Sequence, residues 1–314
     1  MYRATIAGLL LLAAGCADNG TRSSPARDTL AMYEAASLAG PMRAVLDSFA
    51  RRSGAVVWEE HGASLELARR VTELHRVPDV IALADREVFP ELLIPSATSW
   101  YAVFARNRMV VAYTGRSRYA AEVTADNWRS ILLRSDVLLG RTDPSVAPAG
   151  YRALLMFRLA ESYYHESGLA KRLEARTPPR LLRGNAAELA ALLSAGELDY
   201  IIDYESLARA QHFNFIPLPA AIDLGDPTQA ATYATASVRV GSGRDSITRS
   251  GAPILYGVSV PRQAPHFAVG VRFLQFLLGT EGQAILRGAH VDVLEHPELV
   301  GDSVPPALRA VVAP

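Results

Sequence analysis

The alternation of short apolar strands with amphipathic helices constrains this chain more than any other feature. "TLAMYEA" (29–35) is a β-rich apolar run, and in the helix that follows Met42, Val45, Leu46 and Phe49 recur at helical spacing. Pro41 suits the first turn of that helix, where its missing N–H costs nothing. "GAVVWEE" reads as a second strand. "GASLELARRVTELH" reads as a second helix, with Leu67, Ala68, Val71 and Leu74 on one face. "PDVIALAD" (78–85) is almost wholly apolar, as in a strand covered on both sides. This β-α-β-α-β order predicts a parallel sheet with right-handed crossovers.

"RNRMVVAYTG" (106–115) reads as a long strand with no turn residue inside it, after which the alternation starts again. Helices are predicted in "DNWRSILLRSD", "PAGYRALLMFRLAESYYHES", "NAAELAALLSAG" and "YESLARAQH", and strands in "VLLGRTDP", "ELDYIID" and "FNFIPLP". "GAPILYGVSVP" (251–261) is a second long strand. Two helices follow it, the latter opening with Thr280 and Gln283 spaced as a capping box. Two long strands flanking a middle α/β block predict a chain that builds part of one lobe, crosses to a second and crosses back. The expected division is 29–108 with 257–314 in the first lobe and 109–256 in the second. Two consecutive domains are the alternative. Ligands of open α/β sheets bind at the carboxyl ends of strands, so a cleft between the lobes is the expected site.

The N-terminus stands outside this pattern. "MYRATIAGLLLLAAGC" has one early cation, Arg3, then an apolar run too short to span a bilayer, as in an export signal. "AAGC" resembles the lipobox of bacterial lipoproteins, although Ala13 stands where Leu is usual and Leu12 lies one step further out. The resemblance makes Cys16 a lipid anchor ending a leader of residues 1–16. Residues 17–28, "ADNGTRSSPARD", then form a polar tether. Cys16 is the only cysteine, which excludes an internal disulfide. Ala17 after the cysteine points to the outer membrane in a cell with two membranes, with the domain in the periplasm.

Thirty-two Lys and Arg balance 32 Asp and Glu, so no general field draws the chain to nucleic acid or to an anionic membrane. An anion site must be local. Four junctions carry small residues where a helix opens: Ala36-Ser37-Leu38, Gly62-Ala63-Ser64, Pro148-Ala149-Gly150 and Asn185-Ala186-Ala187. A helix start presents unpaired N–H groups and a partial positive charge, both of which favour an anion. Ser37 and Ser64 each add a hydroxyl. A Ser or Asn before a helix is also the ordinary residue of a plain cap, and the pattern leaves both readings open.

In order, the chain carries "AASL", "GASLELARRV", "DVIALAD", "WYAVFARNRMVVAYTGRSRYA", "DNWRSILLRSDVLLG", "PAGYRALL", "SAGELDYIIDYESLA" and "PILYGVSVPRQAPH". Together these resemble the molybdate/tungstate-binding proteins of ABC importers, particularly the tungstate-binding branch, over nearly all of residues 29–290. The resemblance implies an α/β fold of the type II periplasmic-binding-protein kind: a two-lobed clamshell, each lobe a mainly parallel sheet flanked by helices, with two hinge crossings. It implies a non-enzymatic monomer that captures molybdate or tungstate and delivers it to an ABC permease. The family's ligand positions fall on Ser37, Ser64, the backbone N–H groups of Ala149 and Ala186, and the hydroxyl of Tyr204. Some members of the tungstate branch add two carboxylates that bind the metal directly. Those positions fall here on Ala147 and Ala186, which implies an unexpanded tetrahedral anion. Glu34, beside Ser37, and Glu188, near Ala186, are the carboxylates that could stand in.

Other chemistries lack their motifs. The seven histidines show no H-x-x-x-H spacing, and there is no second cysteine for a metal enzyme. No G-x-S-x-G elbow is present. "GSGRDS" (241–246) is followed by a turn-prone stretch, so it reads as a hairpin loop and not as a phosphate loop. No cofactor is expected. The remaining alternatives are the same fold holding sulfate, phosphate or a small organic acid, and a sensing role instead of transport.

Overall fold

The computed structural model describes residues 28–241 and 246–312. The leader, Cys16 and the tether up to Arg27 lie outside the described residues. The first lobe opens with β1 (Thr29–Ala35), α1 (Ala39–Ser53), β2 (Val56–Gly62), α2 (Ser64–Thr72), β3 (Val80–Leu83) and β4 (Trp100–Asn107). The chain crosses into β5 (Met109–Tyr113), α3 (Trp128–Leu132), β6 (Leu139–Thr142), α4 (Pro148–Tyr163), α5 (Leu169–Ala175), β7 (Leu182–Arg183) and α6 (Ala186–Ala195). The second lobe continues through β8 (Tyr200–Tyr204), α7 (Glu205–Ala210), β9 (Asn214–Pro217), α8 (Ala230–Tyr233), β10 (Ser237–Val240) and β11 (Ile247–Ser250). The return supplies β12 (Ile254–Ser259), α9 (Phe267–Leu278), α10 (Thr280–Gly288), β13 (Asp292–Gly301) and α11 (Pro306–Val312).

Two mixed sheets result, one of order β13-β4-β12-β3-β1-β2 and one of order β7-β6-β8-β5-β9. Parallel pairing holds where a helix connects the strands, in β2-β1-β3 and β7-β6-β8. The strands beside the crossings, β4, β12 and β13 in one sheet and β5 and β9 in the other, pair antiparallel. The predicted helix faces are buried: α1 packs Met42, Val45, Leu46 and Phe49 inward, each worth about 1.5–3 kcal/mol of apolar burial. Leu74 departs from its prediction. α2 ends at Thr72, and Leu74 lies beyond it, exposed. The expected capping box at Thr280 is also absent. Gly279 is the N-cap, and the Gln283 amide instead donates to Leu278 O, closing the end of α9.

Neither crossing is an uninterrupted strand. Residues 106–115 break at Arg108, where Asn107 ends β4 and Met109 starts β5. The division after residue 256 falls inside β12. Ile254 already pairs with Asn107, so residues 254–256 belong to the first sheet. The return crossing is the short link before Ile254, where a side chain on Gly251 would collide with Tyr233 O. One segment stitches both crossings, since Asp223 O accepts from Met109 N (2.7 Å) and Leu224 O accepts from Ile254 N (2.8 Å). "GSGRDS" does connect the strands of an antiparallel hairpin, β10–β11, although "ITRS" in the turn-prone stretch is itself the strand β11.

Candidate functional site

The carboxyl ends of all six parallel-paired strands face one another across a pocket of about 280 Å³. The first lobe contributes Ala35, Ala36 and Ser37 after β1, Gly62, Ala63 and Ser64 after β2, and Ala84 after β3. The second contributes Thr142 at the end of β6, Ala147, Pro148 and Ala149 at the start of α4, Asn185 and Ala186 at the start of α6, and Tyr204 at the end of β8. Ser37, Ser64, Ala149, Ala186 and Tyr204 are thus brought together. No lining side chain carries a formal charge. The first turns of α2, α4 and α6 open on the pocket, with N–H groups that have no partner within their helices. Gly150 seats α4 here, because a Cβ on it would lie 2.5 Å from Thr142 O.

The plain-cap reading divides between residues. Asn185 is a cap: its side chain accepts from Glu188 N (3.0 Å) and donates to Glu188 Oε1 (2.9 Å). Ser37 and Ser64 make no capping hydrogen bond. Ser64 Oγ accepts from Ala84 N across the sheet (3.1 Å), which leaves its proton to donate elsewhere. Tyr204 Oη accepts from Arg152 Nη1 (2.8 Å), so its proton is free as well. Burial raises the Tyr204 phenol, keeping it a protonated donor. Ser37 Oγ lies 3.5 Å from Tyr256 Oη, which in turn accepts from Asn107 Nδ2 (2.5 Å). Asn107 Oδ1 accepts from the N–H groups of Arg108 and Ser206, which fixes the direction of the amide. With Asn107 donating to it, the Tyr256 hydroxyl can give its proton to Ser37, and in that arrangement Ser37 donates onward. Thr142 Oγ1 is buried in the lining with no hydrogen-bond partner among the described residues.

Thr142, Arg152, Asn107 and Tyr256 were missed in the sequence. The hydroxyl of Thr142 has no periodic signature. The other three act behind the pocket wall, through contacts 52 to 219 residues apart in the chain. Beside the pocket lies a charged clasp between the lobes. Arg152 Nη2 stands 2.9 Å from Asp85 Oδ1, Arg152 Nη1 donates to Ala84 O (2.7 Å), and Tyr151 Oη donates to Asp85 Oδ2. Burial pushes the Asp85 carboxyl up, and the Arg152 guanidinium opposes the shift.

Neither Glu34 nor Glu188 lines the pocket. Glu188 is exposed and occupied in the Asn185 cap. Glu34 is fully buried beside His61, and burial pushes its carboxyl up to about 7 against the pull of that histidine. Asp203 precedes Tyr204 on β8, is fully buried, and is pushed up to about 7 by burial. It too is absent from the lining. Among the described residues, no helix is long and apolar enough to cross a membrane.

Comparison with known proteins places this geometry in a family. The model of the bacterial extracellular solute-binding proteins matches residues 30–291. An uncharacterized solute-binding protein of Petrotoga mobilis is 40% identical over 82% of this chain and 81% of its own length. The molybdate/tungstate-binding protein WtpA of Thermococcus kodakarensis is 32% identical over 97% of this chain and 94% of its own. Among solved structures, the sulfate-binding protein SubI of Mycobacterium tuberculosis H37Rv superposes with a TM-score of 0.61 over 90% of each chain at 14% identity, a likeness of fold alone. Two mixed α/β sheets, a pocket at their facing strand ends and a family match over most of the chain lead to one assignment: the chain belongs to the bacterial extracellular solute-binding proteins.

Proposed function

We propose that this protein captures a tetrahedral oxyanion, molybdate or tungstate, between its two lobes and delivers it to an ABC permease. The observation that carries this reading is the direction of the pocket's protons. Ser64 and Tyr204 each accept from a donor behind the wall and so keep an O–H for the pocket, Ser37 adds a hydroxyl beside them, and three helix starts add N–H groups. A cavity that offers donors and no counter-cation fits a fully ionised anion. Thr142 Oγ1 is a further donor that such an anion would satisfy. The 32% identical relative is a molybdate/tungstate-binding protein, which supports the choice of anion.

With no carboxylate in the lining, the anion is held as an unexpanded tetrahedron. Phosphate, partly protonated at neutral pH, brings a donor that needs an acceptor, and the one amide in the lining is occupied in the Asn185 cap. Sulfate has shorter bonds to oxygen than molybdate or tungstate and fills the donor cage less well. The two metal oxyanions are nearly equal in size and are bound alike. The mature chain is a monomer tethered by lipid on Cys16, a reading supported by the leader and "AAGC". Competition calorimetry with molybdate, tungstate, sulfate and phosphate tests the anion. Tighter binding of sulfate or phosphate overturns it. Membrane fractionation of Cys16→Ser tests the anchor, since retention of a normally processed variant in the membrane overturns that part.

A further inference from the structure

In the first lobe, one residue before the pocket-lining Ala35 and Gly62, β1 and β2 run parallel in a register that sets Glu34 beside His61 and Met32 beside Glu59. Glu34, Glu59 and His61 therefore share one face of the sheet, next to α1. We propose that these three residues form a binding site for a single divalent transition-metal ion, with zinc the best match.

Four observations carry the proposal. One donor atom from each of the three side chains falls within a common 4.8 Å. Glu34 Oε1 and His61 Nδ1 are 2.9 Å apart, close to the roughly 3.3 Å that separates neighbouring ligands of a tetrahedral zinc ion with bonds of about 2.0–2.1 Å. Glu34 is 0% exposed; its Oε1 faces His61 Nδ1, while its Oε2 has no hydrogen-bond partner among the described residues, and Glu59 Oε2 lacks one as well. A buried carboxylate with one oxygen left unsatisfied is costly, and a metal ion shared with Glu59 and His61 would satisfy it. Finally, the charges agree. Arg43 Nε holds Glu59 Oε1 at 3.0 Å and leaves Oε2 free. Once an ion displaces the proton shared by Glu34 and His61, two carboxylates, one guanidinium and a neutral imidazole leave one net negative charge for a dication. Mixed nitrogen and carboxylate donors favour zinc over calcium or magnesium, which prefer all-oxygen shells. Three protein ligands leave a fourth position for water on the side where the His61 side chain is 36% exposed, which also gives the ion its route in. None of the three residues lines the oxyanion pocket.

The test uses the untagged full-length chain, stripped with chelator and titrated with zinc chloride, then with cobalt chloride. The expected result is one ion per chain, a raised melting temperature, and a visible cobalt spectrum of the tetrahedral type. His61→Ala and Glu59→Gln should each weaken zinc binding at least tenfold and abolish that spectrum, while molybdate affinity stays unchanged. Glu59→Gln keeps the side chain's size, so it remains informative should His61→Ala fold poorly. Absence of one-to-one binding by the natural chain overturns the site, as does binding that is unchanged in Glu59→Gln, which would place the ion on other histidines. Because molybdate is titrated separately, failure of this site leaves the oxyanion reading standing.

Discussion

The oxyanion pocket and the Asp85–Arg152–Tyr151 clasp are built from the same elements, the end of β3 and the start of α4. Yet the pocket lining holds no formal charge, while the clasp holds a buried ion pair. The pocket is left with unspent donors, to be completed by a ligand. The clasp is complete in itself: Asp85 accepts from Arg152, Tyr151 and Glu87 N. Arg152 belongs to both, because one guanidinium nitrogen bonds Tyr204 Oη and Ala84 O while the other pairs with Asp85. On the proposed function, the difference is the means by which a chain of zero net charge would attract a dianion. Dipoles aimed at the ligand would serve recognition, while the full charges next to the pocket, on Asp85 and Arg152, pair across the lobes.

Removing the shared cation should break the comparison most severely. Arg152→Met leaves Asp85 to be buried without its partner each time the lobes close, a cost of about 3–5 kcal/mol. Molybdate binding should weaken by more than about a hundredfold in calorimetry. Small-angle scattering should show a larger radius for this variant than for the natural chain at the same molybdate concentration. Adding Asp85→Asn should restore part of the affinity. If the double variant binds no better than Arg152→Met, the clasp is not what holds the closed form.

Next in size is a pH effect behind the pocket wall. Asp203 titrates at about 7 when folded and at about 3.9 when unfolded, so the folded protein holds its proton over that interval. Its contribution to stability is full below about pH 4 and is lost as pH rises through about 7. The loss is at most about 4 kcal/mol, at roughly 1.4 kcal/mol per unit. Urea denaturation of Asp203→Asn should therefore show a flatter profile than the natural chain between those limits. Glu34 titrates in the same range, so the test is the difference between the two profiles. Parallel profiles would show that Asp203 is not protonated in the folded protein.

The pocket itself is tested one donor at a time. A hydrogen bond to a charged group contributes about 1.5–3 kcal/mol. Ser37→Ala, Ser64→Ala, Tyr204→Phe and Thr142→Val should each weaken molybdate binding by about tenfold to a hundredfold. The Asp85–Arg152 pair is kept in all four, and only Tyr204→Phe also removes an acceptor of Arg152, so the ligand-free scattering profile should not change in the other three. If both serine variants bind like the natural chain, the site lies elsewhere. The smallest effects concern one backbone group. Ala149→Gly keeps the N–H and should be nearly neutral, whereas Ala149→Pro removes it and should match the serine variants. Equal affinities for the two would exclude that N–H as a donor.

Much of this molecule was legible in the linear chain because its signals are local. Apolar spacing marked α1 and α2, the apolar run marked β3, and small residues marked the four helix starts. The resemblance named five positions, and the fold gathers all five into one lining. Local signals also misled. Thr280 and Gln283 have capping-box spacing, but Gln283 turns to the preceding helix, where Leu278 O needs a donor. The strand β13, "DVLEHPELVG", shows no clean alternation, and pairing with β4 on the sheet edge makes it a strand.

The sequence by itself determined the types of most elements and the absence of charge at the helix starts, and it favoured the two-block plan with a return crossing over two consecutive domains. All of these follow from the periodicity or identity of residues close together in the chain. Only the tertiary structure decided which hydroxyls face inward with a free proton, since that depends on Ala84, Arg152, Tyr256 and Asn107 arriving behind Ser64, Tyr204 and Ser37 from distant segments. It also decided that Asp85 meets Arg152 and that Glu34 meets His61 and Glu59. Side-chain donors and charges act over a few ångströms, and which groups come that close is set by sheet register and helix packing, not by spacing along the chain.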